Sequence, residues 1–297
     1  MSQAMVADRG VSIALEHEGE LPGSGCMVAA RLGSVRAATG LFTIWVQLRG
    51  RSWVESKEGK FRLRAGGWIA FDRDSRPTVQ ADRNGVCIGV GLDGAGLQAL
   101  VELTDSALYP GRNQLTRAEL RVALRLWRNA ARAGDAVGAR PMLLHLAAMQ
   151  RDFVQQEQRC PGRSRSRRRQ VFGRMQRARL YLEGNSDRVV RVAELAQLTN
   201  FSSWYVSKTF QSLYEESPQA LSARLRLERA ADLLRDTSMM IGEVAAASGF
   251  DNCCSFARAF RARFGVSASH YRDQTAVPPD SAKSGGMRRK ASAFTRS

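Results

Sequence analysis

The stretch from Ile241 to Gly265, IGEVAAASGFDNCCSFARAFRARFG, constrains this chain most. Ile241, Val244 and Ala245 fall on one helical stripe; beyond Ser248-Gly249-Phe250-Asp251, the residues Phe256, Ala259, Phe260 and Arg263 recur at helical spacing. Gly249 stands where a sharp helix-to-helix turn needs positive φ, and Asp251 or Asn252 offers a side-chain oxygen to cap the second helix. The pattern predicts a helix-turn-helix, whose second helix fits a DNA major groove, although two small helices around a glycine also describe an ordinary hairpin. An internal repeat strengthens the first reading. Val192-Ala193-Glu194-Leu195-Ala196 aligns with Ile241-Gly242-Glu243-Val244-Ala245, and Asn200-Phe201 with Gly249-Phe250. After one extra residue in the later copy, Phe210 matches Phe260, Ser217 matches Ser267 and Leu221 matches Tyr271. Asparagine tolerates the left-handed region better than most residues, so Asn200 replaces the turn glycine sensibly.

A chain of 297 residues with 44% hydrophobic side chains is expected to form two domains with real cores. Its 45 basic against 28 acidic residues give a net charge of +17, and the excess is uneven. Residues 161–297 hold 24 Lys and Arg against 12 Asp and Glu, whereas the first 160 hold 21 against 16. Basic charge concentrated in the half with the repeated unit is the footprint of phosphate binding, the alternative being a solvated surface.

Cys26, Cys87, Cys160, Cys253 and Cys254 have neither an even count nor metal-ligand spacing, which indicates a reduced, cytoplasmic protein. The first residues lack the long apolar core of a signal peptide, and no stretch approaches a membrane span, so no membrane partner is expected.

Residues 1 to about 38 are weakly patterned. From Phe42 to Val90 the texture is β: FTIWVQL, Trp53–Glu55, a hairpin signal at Lys57-Glu58-Gly59-Lys60, Phe61–Leu63, Trp68–Phe71, Thr78–Gln80 and Val86–Val90, punctuated by turns. Short strands at such spacing predict a sandwich or small barrel. A metal-dependent barrel enzyme would need clustered histidines, but only His17, His145 and His270 occur and none lies in this region, so no metal or cofactor is expected. A metal-free barrel can hold a small ligand, and Trp45, Arg51, Trp53 and Trp68 are the candidates to line it; aromatics at strand spacing otherwise belong to the core.

Thr116-Arg117-Ala118-Glu119 is a capping box opening a helix through Trp127 to Ala131, interrupted at Gly134 and Gly138. Pro141 suits the first turn of the next helix, whose stripe runs Met142, Leu143, Leu146, Met149 and Phe153. This pair could pack on its own barrel or on a second subunit, and homodimerisation stays open. Residues 156–170, with Pro161-Gly162 and the run Arg163 to Arg169, are expected to be a flexible basic linker whose arginines are either solvated or set against DNA phosphates. A helix follows over Val171–Glu183. Residues 275–297 read as a disordered basic tail.

Residues 175–274 resemble the DNA-binding domain of the AraC/XylS transcription regulators. The resemblance rests on Glu194-Leu195-Ala196, Ser202 and Phe210; on Ser217-Pro218 and Arg224 to Ala230; and on Ile241, Glu243, Ala245, Gly249-Phe250, Phe256, Arg258, Phe260, Phe264-Gly265 and Tyr271-Arg272. Three departures stand out: Glu215 in place of a turn glycine, Ala268 in place of the proline after Ser267, and Leu221 in place of an aromatic. Cys253, Cys254 and Ser255 also occupy the start of the second recognition helix, where the family presents larger or more polar groups. The β-rich part resembles the effector-binding half of such regulators. The implied architecture is α+β: a cupin-like domain, jelly-roll or small barrel, with two helices over residues 1–155 for effector binding and dimerisation, then the linker, then an all-α domain over residues 171–274 with two helix-turn-helix units.

By the same resemblance the partners are double-stranded DNA, RNA polymerase and a small-molecule effector, and transcription is activated. Ser202 should cap the first recognition helix near a phosphate, leaving Trp204, Ser207, Lys208 and Gln211 to face DNA opposite the inward Val206, Phe210 and Leu213. In the second unit Asn252, Arg258 and Arg261 are the contacts, Arg261 on a phosphate. The helix bearing Arg224, Arg226 and Arg229 should space the two units for successive major grooves about 34 Å apart. The competing classes are a nonspecific architectural DNA binder and an enzyme on the β-rich half tethered to DNA. No nucleophile–base pair or phosphate loop supports the enzyme.

Overall fold

The computed structural model describes residues 4–17, 24–133 and 136–275. They divide into two compact units, residues 1–226 and 227–297, and the division falls inside a helix.

In the first unit, residues 4–92 form ten strands: β1 Met5–Asp8, β2 Ser12–Ala14, β3 Ser24–Ala30, β4 Ser34–Arg36, β5 Phe42–Arg49, β6 Arg51–Ser56, β7 Gly59–Arg64, β8 Gly67–Phe71, β9 Thr78–Ala81 and β10 Val86–Leu92. With β11, Gly111–Gln114, they make a six-stranded sheet in the order β1-β3-β10-β5-β8-β11 and a five-stranded sheet in the order β2-β4-β9-β6-β7. The first four strands fall in the stretch that looked weakly patterned; β2 and β4 have three residues each, too few for an alternation to register.

Trp45, Ile69, Phe71 and Cys87 of the larger sheet meet Val54, Phe61, Leu63, Val79 and Ala81 of the smaller one in a single buried layer, so the sheets form a sandwich. The opposite face of the larger sheet, with Ile44, Val46, Trp68, Ile88 and Val90, is covered by helices. Burial on both faces is why FTIWVQL reads as an unbroken apolar run instead of an alternation. Gly89 makes room for the Trp45 ring, since a Cβ there would lie 2.6 Å from it.

The covering helices are α1 Gly94–Thr104, α2 Arg117–Ala133, α3 Ala136–Met149, α4 Arg151–Glu157 and α5 Arg165–Gly184. Four of these precede residue 158, where the sequence suggested two. The capping box at α2 is present: the Thr116 N–H donates to Glu119 at 2.7 Å and the Glu119 N–H to Thr116 Oγ at 3.2 Å. Trp127 donates to the Gly89 carbonyl at 2.8 Å, fixing α2 on the sheet. Pro141 and Gly138 lie inside α3, not at its start; Gly134 is outside the described residues. The tail from 276 is also outside them.

The basic run is not a free link from Arg165 onward. Ser164 Oγ accepts from the Arg167 N–H and opens α5, while Arg165 and Arg169 reach the Asp105 carbonyl at the left-handed C-terminus of α1. Guanidinium groups complement the partial negative charge at a helix C-terminus, which favours this folded arrangement over a solvated run. Next come α6 Val192–Thr199, α7 Ser203–Tyr214 and α8 Pro218–Asp236. Leu195, Val206, Phe210, Leu213 and Leu221 join the same core as α5 and the sheet.

In the second unit the later part of α8 packs with α9 Ile241–Ala247, α10 Cys253–Phe264 and α11 Ala268–Thr275 around Leu227, Ala230, Leu234, Val244, Phe256 and Phe260.

Candidate nucleic-acid interface

The repeat in the sequence is a repeat of backbone hydrogen bonds. Glu194 accepts from the Arg191 N–H at 2.8 Å, and Glu243 from the Met240 N–H at 2.7 Å, so each carboxylate satisfies an orphan donor at a helix start. The turn residues Asn200 and Gly249 have φ of 52° and 73°. Past them, the Phe201 N–H bonds the Ala196 carbonyl at 3.1 Å and the Phe250 N–H bonds the Ala245 carbonyl at 3.0 Å. Ser202 Oγ then accepts from the Tyr205 N–H at 3.2 Å, and Asn252 Oδ1 from the Ser255 N–H at 2.7 Å. Both second helices end in the left-handed region, at Glu215 and Gly265.

Each second helix therefore has a fixed inner face. In α7 this is Val206, Phe210 and Leu213, all buried, which leaves Trp204, Lys208 and Gln211 exposed and Ser207 half-buried. Trp204 is 68% exposed, a state with no packing role for an indole, and the Lys208 ammonium lies 4.8 Å from its ring centroid. The four residues share one face by their helical spacing. In α10, Phe256 and Phe260 point inward; Cys254, Arg258 and Arg261 are exposed at i, i+4 and i+7. Arg258 and Arg261 make no ion pair among the described residues, whereas Arg263 reaches Glu228.

The sequence did not reveal the side chains that hold these faces. Arg174 donates to the Thr199 carbonyl at 3.1 Å and lies over the Phe201 ring at 4.9 Å, bracing the first turn. Arg188 and the Tyr181 hydroxyl both bond Glu194, at 2.7 and 3.2 Å. The Arg188 guanidinium is the main reason the Glu194 carboxyl is held down at about 2. In the second unit Arg229 donates to the Ala247 carbonyl at the end of α9, at 3.0 Å. These partners lie up to 25 residues apart in the chain and have no local signature.

The residues suggested for an effector do not converge. Trp45 is buried between the sheets, Trp68 is buried on the helix-covered face, Trp53 is 52% exposed and Arg51 is exposed. Period-two alternation puts Trp45 and Trp68 on opposite faces of their sheet, and the inter-sheet space is filled by side chains. Trp68 does edge an open cleft of about 530 Å³ with Asn113, Glu119 and His145, which the sequence did not suggest. No described helix is long and apolar enough to cross a membrane.

These features define a helix-turn-helix protein, and comparison with known proteins agrees. Residues 195–274 match the family model described as a helix-turn-helix domain. The chain is 36% identical over 85 residues to the HTH-type transcriptional regulator GbdR of Pseudomonas aeruginosa, covering 29% of this chain and 23% of GbdR. It is 31% identical over 93 residues to the transposon Tn10 TetD protein of Escherichia coli, covering 31% of this chain and 67% of TetD. Among solved structures, a probable AraC family transcriptional regulator from Rhodopseudomonas palustris is 32% identical, over 35% of this chain and 98% of that one, with a TM-score of 0.33. The chain belongs to the AraC/XylS family of transcriptional regulators. It spans about a quarter of the length of GbdR.

Proposed function

We propose that this protein is a sequence-specific DNA-binding regulator of transcription, acting as an activator with RNA polymerase and answering to a small molecule. The observation that carries the reading is the outer face of α7: an exposed tryptophan, a lysine held over it and a glutamine at the next turn, on a helix whose opposite side is locked into the core. Lys208 and Gln211 have the hydrogen-bonding chemistry for base edges, and Trp204 offers apolar contact to thymine methyls or sugars. Ser202 and Asn252 use their side-chain oxygens as caps; the Ser202 hydroxyl hydrogen remains to meet a phosphate. Arg258 and Arg261 supply unpaired cations to the second unit, Arg258 near a base and Arg261 on the backbone. In this reading residues 171–274 read DNA through two helix-turn-helix units, and the sandwich in residues 1–155 is a cupin-like effector and dimerisation domain.

Footprinting on the upstream region of its own operon should reveal a protected site, with random DNA bound at least about a thousand-fold more weakly. Equal affinity for both DNAs would instead make the protein an architectural binder. Lys208→Ala should alter sequence preference, while Arg261→Ala should weaken every sequence and reduce the salt slope by about 1. If the two changes act alike on specific and random DNA, the division between reading and anchoring is wrong.

A further inference from the structure

Two side-chain amides in the first unit have no hydrogen-bond partner where their neighbours are satisfied. Gln176 on α5 is 1% exposed, and its buried Nε2 is unbonded; the buried Oε1 of Gln156 on α4 is likewise unbonded. Gln150, equally buried, spends both ends of its amide on the Tyr109 backbone, at 2.8 Å each. The fold thus satisfies a buried amide nearby, and leaving two unsatisfied is unfavourable unless something else bonds them.

Both orphans line one cavity of about 140 Å³, walled by Gly111 and Asn113 of β11, Phe153 and Leu180. Gly111 has φ of 151°, and a Cβ there would stand 2.8 Å from the Phe153 ring and 3.6 Å from Gln176 Oε1, so only glycine lets the strand close against this wall. Arg179 and Glu183 at the edge are already paired with each other at 3.2 Å. Arg112 and Asp152 stand at the exposed rim. No unpaired charge is buried inside to receive an ion.

We propose that this cavity binds a small neutral molecule carrying a primary carboxamide or ureido group. Its carbonyl accepts from Gln176 Nε2 and its N–H donates to Gln156 Oε1. The volume is close to that of a cavity that holds benzene, which limits the ligand to roughly six to ten heavy atoms. The site touches α5, the helix whose Arg174 and Tyr181 also hold the first helix-turn-helix. That the ligand is the regulatory signal rests on the function proposed above; its binding does not.

The test is isothermal titration of the full chain, without DNA, with butanamide and nicotinamide and with their N,N-dimethyl counterparts. Saturable binding of the primary amides is expected, with the dimethyl compounds at least about tenfold weaker because they cannot donate to Gln156. Gln176→Met and Gln156→Met should each weaken primary-amide binding by about tenfold. If neither variant folds, the primary and dimethyl compounds on the unaltered protein still decide. Absence of saturable binding, equal binding of the dimethyl compounds, or unchanged affinity in the folded variants overturns the proposal. A cavity that holds only ordered water would show no amide binding together with a raised melting temperature in the methionine variants. Because no DNA is present, failure here leaves the DNA-binding reading intact, and failure of footprinting leaves this site intact.

Discussion

At the scale of single residues, Glu194 and Glu215 show opposite uses of a carboxylate in the first helix-turn-helix. Glu194 is held by Arg188, Tyr181 and the Arg191 N–H, so its folded-state value of about 2 lies below the ordinary 4.5. A depressed carboxyl stabilises the fold above its unfolded value and loses that contribution as pH falls from about 4.5 to about 2. Arg188 is 42% exposed, so solvent screening leaves about 1–2 kcal/mol of this. Glu194→Gln should therefore cost that amount near neutrality, and its stability should change less than the parent's across the acid window. Urea midpoints measured through the window check this; parallel curves for the two proteins would refute it. Glu215 is different, because it sits at φ 58° and ends α7 where glycine would be unstrained. Its ion pair with Arg159 spans 3.9 Å between mostly exposed side chains and is worth little. Left-handed strain outweighs it, so Glu215→Gly should stabilise by about 1 kcal/mol in chemical denaturation. A loss of stability would mean that the ion pair, not the backbone, governs this position.

At the scale of elements, legibility followed repetition and amphipathicity. The pairs α6–α7 and α9–α10 were readable because each repeats the same cap, turn and buried aromatic. The capping box at α2 was readable from four residues. By contrast, β11 has the sequence GRNQ with three exposed side chains, and α1 opens with Gly94-Ala95-Gly96, so neither carries an apolar period. Gln156 and Gln176 looked like surface residues because amides on helices usually are. The arginine run looked like a linker because composition cannot see Asp105 about 60 residues away. The repeat also exposes an uncompleted element. Ser217 caps α8 ahead of Pro218, and Ser267 caps α11 ahead of Ala268, their hydroxyls accepting from the Ala220 and His270 N–H groups at 3.1 and 3.3 Å. Proline is pre-organised for that first helical position. Ala268→Pro should raise stability by about 0.4–1 kcal/mol, read from thermal unfolding, and a fall would show that the Ser267 backbone does not take the extended form a cap requires.

At the scale of the whole molecule, the first unit is held together by a polar joint that the sequence presented as an exposed hairpin tip. Glu58 lies between β6 and β7 yet is 0% exposed. Its carboxylate accepts from Arg177 of α5 at 3.0 Å, from Ser56 at 3.0 Å and from Ser75 at 2.9 Å, and Arg177 also reaches Asp74 at 3.0 Å. Asn185 donates to the Glu58 carbonyl at 2.9 Å, and a Cβ at Gly59 would stand 2.3 Å from the Gly184 carbonyl oxygen, so backbone meets backbone at this point. The joint ties the smaller sheet to the helix that leads into the first helix-turn-helix. A buried pair contributes little over an apolar substitute, but removing one partner strands the other charge. Arg177→Met should thus cost about 3–5 kcal/mol near neutrality, and the deficit should shrink at lower pH as the stranded Glu58 carboxyl takes up a proton. Glu58→Gln in the same chain should restore part of the loss, because the amide carries no charge to strand. Hydrogen exchange by residue should assign the loss to the first unit, with the amides of α9 and α10, which belong to the second, exchanging as before. A deficit below about 1 kcal/mol, or one that the added Glu58→Gln deepens, would mean that apolar packing around Leu180 and Phe61 and not the ion pair holds α5 to the sandwich.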